Sequence, residues 1–415
     1  MMSNGKAAKL TLAEAKSRVL EKIDQLRADA IKLLQDLIRI PSPNPPGDEV
    51  EMARVTADYL RKLGFEVEQI EPFPKRVSNV ARLKGRSGKP TLLLQSHLDT
   101  IALTDPKTWK HPLLAAEIHD DQIWGVGAKN MKSGLASAMF AARAIRECGI
   151  ELEGDLLIAQ AADEMRGGFK GLKELVERNM LKADCAVYTE TGIPTRIEVG
   201  HRGRVDIHVT VKGRTAHTTE PADNNARINA IVKMAEVIPA ITNMEFTHWE
   251  PHPLLAGEPV ISVNLIDGGY AENMVPDRCH IMCDCRTLPP QTDHTVLADV
   301  ERVLQKLRAE DPEMQVSAEI GDVWPYSFIP VDSPIVQQVQ RAVVEVTGSE
   351  SPILASPATS DTRWLVLFAK IPTCKFSFTT VGSGPNERIR ITDYLNTIRV
   401  YAVLALNMLH APQSD

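Results

Sequence analysis

The sequence predicts an α/β fold: a mixed, mainly parallel sheet with helices on both faces, interrupted by an inserted α+β module. Three observations predict it. Apolar runs of strand length end in acid or imidazole: TLLLQS leads into His97 and Asp99, LLIAQAA stops just short of Glu164, and CAVYT stops at Glu190. Helical stretches separate these runs, as parallel strands require. Past Arg196 the texture changes to strict alternation in HRGRVDIHVTVKG. Loops that leave the carboxyl ends of parallel strands converge on one crevice, so residues 91–190 are the candidate site.

In chain order, apolar positions Leu20, Ile23, Leu26, Ile31, Leu34 and Leu37 among charges predict helix over 13–38. The SPNPPGD loop breaks it. A second helix spans about 48–63, followed by strands FEVEQI, SNVARL and TLLLQSH. Asn130 opens a helix through MKSGLASAMFAARAI, whose small residues permit close packing on a sheet. LLIAQ and CAVYT are strands around the helix FKGLKELVERNM. The alternating segment then starts a strand–helix–strand–strand–helix order that reads as a separate module. After about Pro312 the mixed pattern resumes with PIVQQVQRAVVEV, TRWLVLFA, TCKFSFTT and DYLNTIRVYAVLALNML. The reading is therefore a catalytic domain in two segments, 1–196 and 312–415, with an insert at 197–311.

Composition narrows the function. The 415 residues are 43% hydrophobic and 24% charged, with net charge −7 spread over both signs, which is an ordinary globular chain and a poor nucleic-acid binder. No apolar run approaches the roughly 20 residues of a spanning helix, and the polar N-terminus has no signal-like apolar region, so a cytoplasmic protein without membrane contact is expected. Among six cysteines, Cys279, Cys283 and Cys285 share one strand parity. They read as a buried face rather than a metal site.

The chemistry lies at the strand ends. His97 with Asp99 two residues on is a metal ligand with a potential orienting partner. Glu164 and Glu190 at neighbouring strand ends complete a divalent-metal pattern. Glu164, with no second ligand in its own loop, is a candidate base beside a metal-activated water. A Gly-x-Ser-x-Gly elbow is absent, and GVGAKN has the spacing of neither a phosphate loop nor a dinucleotide fingerprint. Trp109, Trp124, Trp324 and Tyr326 are either an aromatic pocket or core.

The motifs HLDT, WGVGAKNMKSG, ADEM-RGG and ETG, then KGRTAHTTEP (212–221), GGYAENMVPD (268–277), Arg286 and PNERIRITDY (385–394), resemble, in this order, the aminoacylase/succinyl-diaminopimelate desuccinylase/glutamate carboxypeptidase family of co-catalytic metallohydrolases. The resemblance covers nearly the whole chain. It implies a zinc-exopeptidase-like catalytic domain, an inserted lid that dimerises, and metal-dependent hydrolysis of amide bonds next to a carboxylate. Position by position, it implies that His97 is a metal ligand and Asp99 its orienting acid, Glu164 the general base, and Glu190 the acidic ligand. His217 matches a catalytic lid histidine that, in relatives, reaches into the partner subunit's site and polarises the substrate, and Asn273 matches a substrate-binding lid residue. Arg286 matches either a carboxylate clamp or a structural ion pair. Arg363 and Ser383 are further substrate-binding candidates.

The departures from the family pattern carry as much information. The bridging aspartate is Asn130, the glutamate ligand after the base is Met165, and the C-terminal histidine ligand is Ser383. A thioether and a hydroxyl do not replace carboxylate and imidazole for a hard or borderline cation. The expectation is one weakly held Mn or Zn per subunit, on His97, Asn130 and Glu190, strengthened by a small anionic substrate. The ligand losses resemble a family branch that hydrolytically deaminates an activated aromatic amine, 5-nitroanthranilate to 5-nitrosalicylate plus ammonia, and this is the first functional expectation. The alternatives are a one-metal N-acyl-amino-acid or dipeptide amidohydrolase, and a binding protein that has lost catalysis. A homodimer or larger assembly through the lid is expected.

Overall fold

The computed structural model describes residues 10–190, 192, 195–220, 227–379, 381–382 and 384–410. The chain divides into two compact units. One comprises Met1–Gly200, Phe328–Ser356 and Ser360–Asp415, and the other His201–Ser327 with Pro357–Thr359.

The first unit is built on a nine-stranded mixed sheet. Its parallel centre runs in the order Asp155–Ala161, Thr91–His97, Cys185–Tyr188, Thr373–Lys375. Glu66–Phe73 and Arg76–Leu83 add an antiparallel edge beside Asp155–Ala161. Every residue of Thr91–His97 and of Asp155–Ala161 is buried, as strands covered on both faces must be. Leu93, Leu157, Ala159 and Ala186 pack with Leu172, Leu175, Trp364 and Leu365 on one face. The helix Lys132–Glu147 lies against the same strands and against Ile391–Leu409. Gly134 makes that close approach possible: a Cβ there would fall 1.8 Å from the Thr189 carbonyl oxygen.

Two sequence expectations are refined here. The helix expected over 13–38 is two, Leu12–Gln25 and Arg27–Arg39, broken at Leu26. The helix expected to open at Asn130 begins at Lys132, which leaves Asn130 in the turn before it.

The second unit is a four-stranded antiparallel sheet in the order Val260–Gly268, Arg278–Thr287, Gly203–Lys212, Gln315–Trp324, with helices Ala230–Thr242 and Asp293–Glu310. Cys279, Cys283 and Cys285 are buried in its core beside Ile207, Val209 and Ile281, each as a small hydrophobe. The boundary expected at 311 falls later. Gln315–Trp324 pairs along Gly203–Lys212 and belongs to this sheet, so the unit runs to Ser327.

Candidate active site

Sheet order explains which side chains meet. Three adjacent parallel strands end in His97, in the turn before Glu164, and just before Glu190. The neighbouring strand ends in Lys375, which is in register with Tyr188. Four ionisable residues thus stand in a row along the carboxyl edge of the sheet, where the register of the strands fixes them.

His97, 1% exposed, is oriented from behind. Its Nδ1 lies 2.8 Å from the Asp99 main-chain carbonyl and 3.4 Å from the Asp99 carboxylate. A carbonyl only accepts, so Nδ1 carries the proton and Nε2 faces forward. Nε2 is 3.0 Å from Asn130 Oδ1 and 3.8 Å from Glu164 Oε2. One ligand atom from each of His97, Glu164 and Glu190 lies within 4.8 Å of the other two. The Asp99 carboxylate has a second task. It accepts the backbone N–H groups of Glu164 (3.1 Å) and Met165 (3.0 Å) and the Asn44 amide (2.9 Å), and so shapes the turn that presents the base. Asp163, just before Glu164, sits at φ 69, a left-handed turn position.

Asn130 is held by its backbone. Glu387 Oε1 accepts the N–H groups of Lys129 (2.8 Å) and Asn130 (2.7 Å). The same turn brings Lys129 Nζ to 3.0 Å from Glu190 Oε1, while Lys375 Nζ lies 3.5 Å from Glu190 Oε2 and 3.4 Å from Glu198. Both oxygens of Glu190 therefore face an ammonium. Burial pushes the Glu190 carboxyl up, but Lys375 and Lys129 outweigh it and hold it well below the usual carboxylate range. Glu164 moves the other way: burial raises its carboxyl, against the pull of His97. The two glutamates thus have opposite environments, one pinned as an anion and one able to take a proton.

The donors fit one divalent ion. Imidazole Nε2 lies beside the Asn130 amide oxygen, and it clusters with one carboxylate oxygen each of Glu164 and Glu190, a donor set suited to Zn or Mn. Met165, which follows Glu164, carries a thioether in place of the carboxylate that the family resemblance implies, and Ser383 lies outside the described residues.

His217 and Asn273 meet in the second unit, Nε2 to Nδ2 at 3.1 Å, with His217 Nδ1 on Thr219 Oγ1 at 2.7 Å. Arg286 forms a two-nitrogen pair with Asp284 (2.6 and 2.8 Å) and reaches Thr359 at 3.0 Å, the structural ion pair that its sequence reading left open. Arg363, 1% exposed, donates to the Gly167 carbonyl and pairs with Asp361 at 3.2 Å. These contacts brace the loop that follows Glu164. Of the loose aromatics, Trp109 and Trp124 are buried. Sequence reasoning missed Lys129, Lys375 and Glu387. The signal was present: Lys375 interrupts the strand TCKFSF, and a charge in a buried strand requires a partner.

Residues 93–407 match the sequence profile of peptidase family M20/M25/M40. The chain belongs to this family. It is a hydrolase acting on carbon–nitrogen bonds, and metal-dependent hydrolysis of amide-type bonds is the family's chemistry. An N-formyl-4-amino-5-aminomethyl-2-methylpyrimidine deformylase from Halalkalibacterium halodurans is 27% identical over 391 residues, covering 86% of this chain and 88% of the relative. A succinyl-diaminopimelate desuccinylase from Paracoccus denitrificans is also 27% identical, over 347 residues, covering 81% and 87%. Among solved structures, human carnosine dipeptidase 1 superposes with TM-score 0.76 at 17% identity, covering 95% of this chain and 99% of its own. The M20 metallo-carboxypeptidase Sso-CP2 from Sulfolobus solfataricus gives 0.75 at 20% identity, covering 91% and 98%. These likenesses support the M20 fold with its inserted module.

Proposed function

We propose that this M20 chain hydrolyses an N-acyl bond of a small anionic substrate with a single divalent ion, on His97, Asn130 and Glu190, and with Glu164 as general base. The observation that carries the reading is the pairing of Glu190 with Lys129 and Lys375. Two fixed ammonium groups supply, beside one ion, positive charge that a second ion would otherwise bring. When bound, the ion supplies Lewis acidity to a carbonyl oxygen and to water. Glu164 takes the proton of the attacking water and returns it to the departing nitrogen, a shuttle its raised carboxyl suits. Asp99 positions both His97 and the Glu164 turn. The named activities of the deformylase and desuccinylase relatives, both removals of an acyl group from nitrogen, support the choice of bond.

Deamination of 5-nitroanthranilate is kept as the second reading. Met165 favours it, because that substrate's ortho carboxylate and nitro group lessen the need for a second ion. We also propose a homodimer through the second unit's outer strand Val260–Gly268, where Leu265 (62%) and Ile266 (60%) are exposed on an unpaired edge.

The test is a panel of N-formyl, N-acetyl and N-succinyl amino acids and dipeptides, assayed for free amine with Mn or Zn, alongside 5-nitroanthranilate assayed for ammonia. The expected result is amine release that falls at least about 100-fold in Glu164→Gln. Ammonia from 5-nitroanthranilate with no amine from the panel reverses the order of the two readings. Turnover unaffected by Glu164→Gln removes both.

A further inference from the structure

A second cluster of metal-binding side chains lies in the first unit and shares no residue with the site above. His111, Glu117 and His119 each offer a ligand atom within 4.8 Å of the other two. Glu117 Oε2 is the hub, 2.8 Å from His119 Nε2 and 3.3 Å from His111 Nδ1.

The fold builds this arrangement. Ile118–His119 pairs antiparallel with Gln122–Trp124 across a tight turn in which Asp120 and Asp121 have φ of 50 and 58. Both central residues at positive φ make the mirror-image turn that suits a two-residue hairpin. Trp124 N–H donates to the Glu117 carbonyl at 2.9 Å, which fixes Glu117 at the start of that hairpin. His111 arrives from the preceding segment, where Lys110 N–H donates to Asn386 at 2.7 Å. Its ring lies stacked on His119 (3.7 Å, 17°) and edge-on to Trp124 (4.7 Å, 64°). Packing therefore holds the two imidazoles side by side before any ligand arrives.

We propose that His111, Glu117 and His119 form a half-exposed binding site for a divalent transition-metal ion of the zinc class, independent of the catalytic centre. Two imidazoles and one carboxylate select zinc, copper, nickel or cobalt over magnesium or calcium, which take oxygen donors. The side chains are 23%, 41% and 42% exposed, which leaves room for water to complete the coordination of a bound ion. An ion here clips the 110–117 segment to the hairpin. That hairpin leads directly into Gly125, whose N–H is held by the Glu387 carbonyl at 3.0 Å, and the Glu387 carboxylate holds the turn of Lys129 and Asn130. The position suits a structural ion that stiffens the catalytic turn.

The test is zinc stoichiometry on the full chain by equilibrium dialysis and elemental analysis at fixed free zinc. Four proteins are compared: native, His119→Ala, His97→Ala and the double variant. The native chain is expected to hold one more equivalent than His119→Ala. His97→Ala should keep that equivalent and the double variant should lose it. Equal stoichiometry in native and His119→Ala, or zinc retained by the double variant, overturns the proposal. His97 is buried, so where His97→Ala misfolds by circular dichroism, the native and His119→Ala pair decides alone. Loss of amide turnover is not a readout here, which keeps failure of this site distinct from failure of the catalytic reading.

Discussion

Lys129→Met should make the catalytic centre a better metal site. Lys129 Nζ lies 3.0 Å from Glu190 Oε1, and at that distance two unit charges attract by about 5 kcal/mol at an effective dielectric of ~20. Desolvating the buried ammonium offsets part of this, leaving about 2–3 kcal/mol of net competition against any other cation that claims Glu190. Methionine keeps the length and removes the charge. The ion should then bind about 30- to 150-fold more tightly, since about 1.4 kcal/mol is tenfold. Without metal the variant should be less stable than the native chain, because Glu190 keeps only Lys375. The assay is calorimetric titration of chelator-treated protein with Mn and Zn, with the His119→Ala background isolating this site. Unchanged or weaker affinity in Lys129→Met refutes the view that lysine and metal compete for one carboxylate.

Two further predictions follow from other parts of the molecule. Burial, then the nearby Asp99 charge, lift the Glu49 carboxyl from 4.5 to about 7 against the Arg76 partner at 2.7 Å. A raised carboxyl contributes its full stability below the ordinary carboxylate range and loses it as pH rises through about 7. Relative to the native chain, Glu49→Gln should therefore gain up to about 3 kcal/mol between pH 5 and 8. Thermal midpoints across that range check this, and a constant difference counts against it. At the outer strand of the second unit, Leu265→Glu with Ile266→Glu should convert a dimer to a monomer in light scattering while leaving the circular dichroism spectrum intact. A monomeric native chain defeats the proposed edge pairing.

How much was legible beforehand depended on what kind of signal each residue gave. The parallel centre was readable because buried strands are continuous apolar runs, and each of the three that matter stops at a charged or imidazole residue. His97, Glu164 and Glu190 followed from that, and the structure brings them together with Asn130. The last strand of the second unit, Gln315–Trp324, was missed although QVSAEI alternates: the alternation breaks at GDV, where the register with its neighbour shifts between Ile320 and Val323. Lys129 and Lys375 were overlooked for a different reason. Lysine is nearly always a solvated residue: the apolar strand around Lys375 marked it as needing a partner, but nothing local marks Lys129, and neither lysine's sequence neighbourhood shows the carboxylate it meets some 60 or 185 residues away. The burial of Arg363 was hidden in the same way: Asp361 is close by in sequence, but the Gly167 carbonyl it reaches is 196 residues away. The three-residue pattern at 111–119 passed unnoticed because its spacing matches no common motif, and only the hairpin turn draws it together.

The central claim is that one divalent ion, not two, sits among His97, Asn130 and Glu190. Anomalous scattering from crystals soaked in manganese tests it directly. A single peak among these three residues at the catalytic centre, with none beside Met165, is the predicted result. Two peaks there, about 3.5–4 Å apart as in two-metal hydrolases, would contradict it.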